Sequence, residues 1–115
     1  MARVKRGKIA HKRRKHLLKY AKGFRWGRKS KYRLAKEALL HAWTHAYSGR
    51  KAKKRDFRRL WQTQINAGAR ASGISYSKLI YGLKQKGIKL DRKILAQLAK
   101  NHSQIFSKIV EKAKG

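Results

Sequence analysis

A charge imbalance is the feature of this sequence that most limits how the chain can fold. The 115 residues contain 34 Lys and Arg but 4 Asp and Glu, which leaves a formal net charge of +30. Repulsion on this scale opposes compaction, because few carboxylates are present to pair with the cations. A polyanion is therefore the expected partner. Phosphate is the favoured group, since Lys and Arg that lie along a nucleic acid release condensed counterions, and this release drives non-specific binding.

The positive charge is concentrated in the first half of the chain. Residues 1–59 contain 23 basic and 2 acidic side chains, whereas residues 60–115 contain 11 and 2. Residues 1–36 contain 16 basic side chains and no acidic one. Because this segment has few apolar residues to offset the entropy of ordering, we expect it to be largely unstructured until it binds a partner. The sequence thus predicts a basic, nucleic-acid-binding extension over residues 1–59 and a small globular domain over residues 60–115.

Apolar residues recur at helical spacing, and no proline interrupts the chain. The pattern predicts a short helix over residues 11–22 and one long helix from residue 31 to residue 70, with Ser30 as its N-cap. The fold class is therefore all-α, in which a long basic N-terminal helical extension is followed by a small C-terminal helical domain.

Three shorter helices are predicted to form the C-terminal domain. Ser75 and Asp91 are the expected N-caps of the first two, and Gly87 is expected to end the first. Phe57 and Trp61, on the long helix, are expected to complete the core. The predicted buried faces are Tyr76, Leu79, Ile80 and Leu83, then Ile94, Leu95, Leu98 and Ala99, and finally Ile105, Phe106, Ile109 and Val110.

The sequence lacks the patterns that are typical of enzymes. Its four acidic residues are scattered, and no glycine-rich phosphate loop is present. His41 and His45 have the spacing of a two-histidine metal site, but no third ligand is near and the surrounding cations oppose a metal ion. No apolar run approaches the roughly 18–20 residues of a membrane span. We therefore expect a soluble, intracellular protein with no catalysis, cofactor, metal, small-molecule substrate or membrane partner.

Aromatic residues and glycines alternate with the cations. Eight of the eleven aromatic residues lie between Tyr20 and Trp61. Phe24 and Trp26 could stack on unpaired bases or sugars, or they could pack on the neighbouring helix. The candidate nucleic-acid-binding residues are Arg3, Lys5, Arg6, Lys8, Lys12, Arg13, Arg14, Lys15, Lys19, Lys22, Phe24, Arg25, Trp26, Arg28, Lys29, Lys31, Tyr32, Arg33, Arg50, Lys51, Lys53, Lys54, Arg55, Arg58, Arg59, Asn66 and Arg70.

RNA is favoured over DNA as the partner, because a basic, conditionally folded extension suits the irregular grooves of a folded RNA better than a regular duplex. Two alternatives remain open from the residues alone. One is histone-like packaging of nucleic acid. The other is a helix-turn-helix DNA-binding protein built from the last three helices, whose reading helix over residues 91–100 offers mainly Arg92, Lys93 and Gln97.

Four sequence blocks connect the chain to a known family: RVKRG at residues 3–7, KGFRWGRKSKYRLAKEAL at 22–39, KKRDFRRLWQTQINAGAR at 53–70 and ISYSKLIYGLK at 74–84. With these blocks the sequence resembles the bacterial-type ribosomal protein L-twenty family of the large subunit along nearly its whole length. One departure is that Gln62 and Gln64 stand where the family pattern has an aliphatic residue and an arginine.

The resemblance implies a structural protein of the ribosome, in the cytoplasm or in an organelle, that binds large-subunit (23S-type) rRNA directly and supports early assembly. It implies ribosomal protein twenty-one of the large subunit as a neighbour. In some members of the family, the C-terminal domain also represses translation of the protein's own messenger RNA.

Overall fold

The computed structural model describes residues 3–115, which form five α-helices and one 3-10 turn, with no strand among them. The predicted all-α class and long helical extension are confirmed. The chain divides into two compact units between Arg50 and Lys51. The predicted boundary between residues 59 and 60 stays a prediction. The elements are α1 (Gly7–Tyr20), the 3-10 turn (Trp26–Lys29), α2 (Tyr32–Ala71), α3 (Tyr76–Gln85), α4 (Arg92–Asn101) and α5 (Ser103–Lys114).

The long helix α2 agrees with the predicted span of residues 31–70. It runs through Gly49, because no proline removes a backbone N–H donor along its 40 residues. Its N-cap differs from the prediction. The carbonyl of Lys31 accepts the N–H of Ala35 at 2.8 Å, whereas Ser30 belongs to the preceding turn and donates its N–H to Gly27. The prediction of Ser30 as the N-cap is therefore wrong by one residue.

The first unit has a small apolar cluster. After α1, Gly23 adopts a positive φ of 86°, and this conformation, which favours glycine, reverses the chain toward α2. The expectation that residues 1–36 are largely unstructured is wrong for residues 7–36, because the leucines of α1 find apolar partners on α2. Residues 1 and 2 lie outside the described part. The cluster consists of buried Ala21, Ala35 and Leu39, with half-buried Leu17, Leu18 and Phe24 packed against them.

The core of the second unit is formed by the C-terminal part of α2 and by α3, α4 and α5. It excludes charge entirely: no polar or charged side chain is buried among residues 3–115. Half-buried apolar residues, Trp61 among them, pack around it. Its buried members are Ile65 and Ala69 of α2, Leu79 and Leu83 of α3, Leu95 and Ala96 of α4, and Phe106, Val110 and Ala113 of α5.

Three predicted core residues are exposed instead. Phe57 is 45% exposed, Ile94 43% and Ile105 50%. Phe57 packs against the ring of Trp61, with centroids 6.1 Å apart, rather than entering the core. On α4 and α5 the buried sector includes positions 96 and 113, where alanine lets the helices come close. Large apolar residues at the edge of each predicted face are consequently left at the surface.

The first helix spans Gly7–Tyr20 rather than the predicted residues 11–22, whereas the C-terminal helices begin and end close to the predicted caps. Gly87 follows α3 with a φ of 66°, and the N–H of the next residue, Ile88, donates to the carbonyl of Leu83 at 2.9 Å, as in a Schellman motif. Ser75 and Asp91 occupy the N-cap positions of α3 and α4, yet neither side chain makes a capping hydrogen bond.

Two glycines allow the helices of the second unit to approach closely. A Cβ on Gly68 of α2 would lie 3.0 Å from Cε1 of Phe106 and 3.1 Å from Cβ of Ala99. A Cβ on Gly82 of α3 would overlap the carbonyl oxygen of Ala113, on α5. Because backbone cannot move aside as a flexible side chain can, the contact of α3 with α5 requires glycine at position 82.

Gly82→Ala is expected to lower the free energy of unfolding by roughly 1–3 kcal/mol, because the added methyl group forces α3 away from α5. Gly49→Ala is the matched control. A Cβ at position 49 would have no neighbour within 4 Å, so alanine should raise stability by about 0.5–1 kcal/mol through its better helix propensity. Thermal unfolding followed by circular dichroism measures both. Equal melting temperatures for the two variants would contradict the predicted steric contact.

Candidate nucleic-acid interface

The cationic side chains of this protein face solvent. All 34 Lys and Arg lie in the described residues, and each is exposed except Arg92, which is half-buried. Arg59 Nη1 lies 3.6 Å from Asp56 Oδ1, but both side chains are largely exposed, so this ion pair contributes little to stability. The surface therefore presents a field of positive charge that the protein's own acidic residues cannot neutralise.

The predicted binding cations follow the chain through both units. In the first unit, the residues that precede α1 are Arg3, Lys5 and Arg6, and those on α1 are Lys8, Lys12, Arg13, Arg14, Lys15 and Lys19. The connection to α2 contains Lys22, Arg25, Arg28, Lys29 and Lys31, and α2 itself contributes Arg33 and Arg50. In the second unit, Lys51, Lys53, Lys54, Arg55, Arg58, Arg59 and Arg70 lie on α2.

Five lysines of the first unit line one cleft, which we call the lysine cleft. It has a volume of about 550 Å³. Side chains three and four positions apart on α1 share a face, and the turn after α1 brings the later lysines to the same side. An ammonium group is a compact point charge that can contact phosphate from several directions. The lining residues are Lys12, Lys15, His16, Leu18, Lys19, Lys22 and Lys29.

The two aromatic residues between Gly23 and Gly27 have different surroundings. Phe24 is half-buried and packs against the apolar cluster of the first unit. Trp26 is 81% exposed and has a φ of 49°, the left-handed region that L-residues other than Asn and Asp rarely adopt. Packing therefore accounts for Phe24. It does not account for Trp26, which combines a strained backbone with an indole that lies largely in solvent.

Two further predicted site residues are half-buried, and one of them makes a structural hydrogen bond. Tyr32 is half-buried at the start of α2. Asn66 Oδ1 accepts the backbone N–H of Tyr76 at 3.2 Å, and so caps the N-terminus of α3 from α2, a role that the hydroxyl of Ser75 does not fill. Asn66 also lines a polar groove of about 570 Å³, which we call the amide groove. The other lining residues are Arg59, Gln62, Thr63, Arg70, Ser75, Tyr76 and Ser77.

A third concave surface, the α2–α4 cleft, includes two cations that the sequence assigns only to the helix-turn-helix alternative and not to the RNA-binding set. Arg92 and Lys93, from the first turn of α4, line it together with α2 residues. The sequence contains a signal for them. Acidic residues are favoured in the first turn of a helix and cations are not, so two adjacent cations at that place are unusual. Its lining residues are Lys54, Arg55, Arg58, Trp61, Asp91, Arg92 and Lys93, and its volume is about 540 Å³.

The described residues contain neither a candidate metal site nor a candidate membrane span. Between residues 3 and 115, no group of three or more His, Asp or Glu side chains could hold a metal ion, so His41 and His45 have no third ligand there. In the same part of the chain no helix is both long and apolar enough to cross a membrane.

Comparison with known proteins identifies one family and one relative of similar sequence. Residues 3–109 match the family model described as ribosomal protein L20. A protein of Marinobacter nauticus named large ribosomal subunit protein bL20 is 54% identical over 114 residues, which cover 99% of this chain and 97% of that protein.

The cap on α3 leads to a test of the role of Asn66. Asn66→Ala is expected to lower the free energy of unfolding by about 0.5–2 kcal/mol, as for loss of other N-caps. Asn66→Asp should retain the stability, because its carboxylate also accepts the N–H of Tyr76. Asn101→Ala, at the exposed end of α4, is the matched control. If chemical denaturation gave the same stability for Asn66→Ala and Asn101→Ala, the capping role would be wrong.

Proposed function

The chain belongs to the ribosomal protein L20 family, and on that premise we propose that it is a structural constituent of the large ribosomal subunit, without catalytic activity, that binds large-subunit rRNA directly in the ribosome of the cytoplasm. The observation that carries the proposal is the exposure of nearly all 34 Lys and Arg side chains in a chain with 4 acidic residues. Phosphates of rRNA are the counter-charge that this surface needs.

The first unit would bind where phosphates from different RNA segments converge. Five lysines around one cleft create a local positive potential that a single phosphate cannot neutralise. The exposed indole of Trp26 could stack on a base or sugar while the guanidinium groups of Arg25 and Arg28 pair with phosphates. Strained backbone conformations such as that of Trp26 are concentrated at binding and catalytic sites.

The second unit would contribute neutral hydrogen-bonding groups in addition to cations. The exposed cations of α2 at positions 53–59 offer phosphate contacts, and the amide groove adds neutral hydrogen-bonding groups. The amide of Gln62 can donate to and accept from a ribose 2′-hydroxyl, which distinguishes RNA from DNA. Where the family pattern has an aliphatic residue, this chain therefore has a group that suits a polar surface.

Three finer roles follow from the proposal. Lowering repulsion between converging RNA segments would support early assembly of the subunit. An apolar strip on one face of α2, formed by Leu40, Trp43 and Tyr47, is about half exposed and suits a protein neighbour such as ribosomal protein twenty-one of the large subunit. The same cationic second unit could bind the protein's own messenger RNA and so repress its translation.

The test is filter binding of the full-length protein to a large-subunit rRNA transcript, with duplex DNA of equal length as competitor, across a salt series. Retention of the rRNA at high salt despite the DNA is expected, because stacking and 2′-hydroxyl contacts do not depend on counterion release. Equal competition by DNA, with one salt dependence for both, would instead favour histone-like packaging.

Trp26→Ala is expected to weaken rRNA binding by about 5- to 150-fold, which corresponds to the roughly 1–3 kcal/mol of one stacked base. The melting temperature should change little, because the indole is 81% exposed. Tyr81→Ala removes another exposed aromatic ring, 65% exposed on α3, and serves as the control. If Trp26→Ala and Tyr81→Ala bind rRNA equally well, the stacking role of Trp26 is wrong.

A further inference from the structure

The α2–α4 cleft concentrates positive charge within the second unit. Five of its seven lining residues are Lys or Arg, and Asp91 is its one carboxylate. Arg92 and Lys93 also lie in the first turn of α4, where the helix dipole already places partial positive charge. Both effects raise the free energy of the empty cleft, and an anion bound there would lower it.

Arg92 differs from every other cation in the chain. It is the one Lys or Arg that is half-buried rather than exposed. Its Nε–H donates to the hydroxyl of Tyr76 at 2.9 Å. This bond uses one of the five guanidinium donors and restrains the group, while the N–H donors of the two terminal nitrogens stay available for bidentate binding of a phosphate.

Tyr76 is itself held firmly. Its backbone N–H donates to Asn66 Oδ1 at 3.2 Å, and its ring packs against the core of the second unit. Trp61 packs against the same core and lines the cleft. A rigid apolar wall and an oriented guanidinium therefore stand beside four flexible cations, Lys54, Arg55, Arg58 and Lys93. Side chains ordered before binding lose less entropy on binding.

We propose that the α2–α4 cleft binds a backbone phosphate of RNA, with Arg92 as the bidentate ligand, Tyr76 as the residue that positions it, and the indole of Trp61 as the surface for the adjoining sugar. This inference rests on the proposed function. It extends the RNA-binding surface from α2 to α4 and assigns within it one contact that a side-chain hydrogen bond orients.

The experiment uses the full-length protein and the same large-subunit rRNA transcript with DNA competitor. Tyr76→Phe and Arg92→Lys both keep the net charge, so neither should change the salt dependence of binding. We expect Tyr76→Phe to weaken binding about three- to tenfold and Arg92→Lys about tenfold or more, since lysine cannot form the planar fork. Tyr81→Phe, which removes an exposed hydroxyl of the same helix, should bind as the wild type does.

A double-mutant cycle separates positioning from a merely structural role. If Tyr76 acts through Arg92, Tyr76→Phe should have no further effect on affinity in the Arg92→Lys background. Equal losses in both backgrounds would overturn the positioning role. Circular dichroism melting checks the fold of each variant, and Arg92→Lys alone decides the question if Tyr76→Phe does not fold.

Acetylation of lysines, followed by mass spectrometry, tests the cleft directly. Bound rRNA should slow the acetylation of Lys54 and Lys93 more than that of Lys112 on α5. Unprotected Lys54 and Lys93 together with wild-type affinity for both variants would overturn the inference, while a wild-type preference for rRNA over DNA would leave the proposed function intact. Wild-type protein without that preference would overturn both.

Discussion

Mutual repulsion among cations is the constraint on which the rest of the structure depends. With a formal net charge of +30, the chain cannot gain stability from a dense network of ion pairs, because it has four acidic residues to form them. Every buried side chain in the described residues is accordingly apolar. The cations are directed outward, where water screens them. The protein therefore folds by packing apolar side chains, and the free energy of this packing has to exceed the repulsion among the cations.

Such a core must be well packed because it is small. Gly68 and Gly82 remove side chains where helices cross, and Ala99 and Ala113 provide small contacts on the facing helices. Close approach increases the dispersion contacts of the few large residues present, such as Phe106. The same packing holds Trp61 and Tyr76 in place at the edge of the core. The rigid parts of the proposed RNA surface are thus extensions of the core itself.

Rigid and mobile cations have different uses in such a surface. Lysines in the lysine cleft are exposed and can adjust to an irregular arrangement of phosphates, which suits affinity more than selectivity. Selectivity requires oriented groups. Hydrogen bonds orient two of the candidates, the amide of Asn66 and the guanidinium of Arg92. Charge alone would bind any nucleic acid, and the proposal is that the oriented groups favour a folded RNA.

The sequence by itself determined the all-α class, the long helix and the concentration of cations, because helical periodicity, the absence of proline and net charge are properties of residues close together in the chain. The tertiary structure decided which of these residues are buried and which side chains meet across helices, because periodicity along the chain does not specify either. Ile94 and Ile105 lie on the predicted apolar faces but are exposed. An apolar repeat defines a helical face, but it does not specify which neighbouring helix covers that face. Phe24 and Trp26 differ in burial although both lie between the same two glycines. Asn66 caps a helix ten residues away and Tyr76 orients Arg92 sixteen residues away, since these hydrogen bonds form only after packing has brought separate helices together.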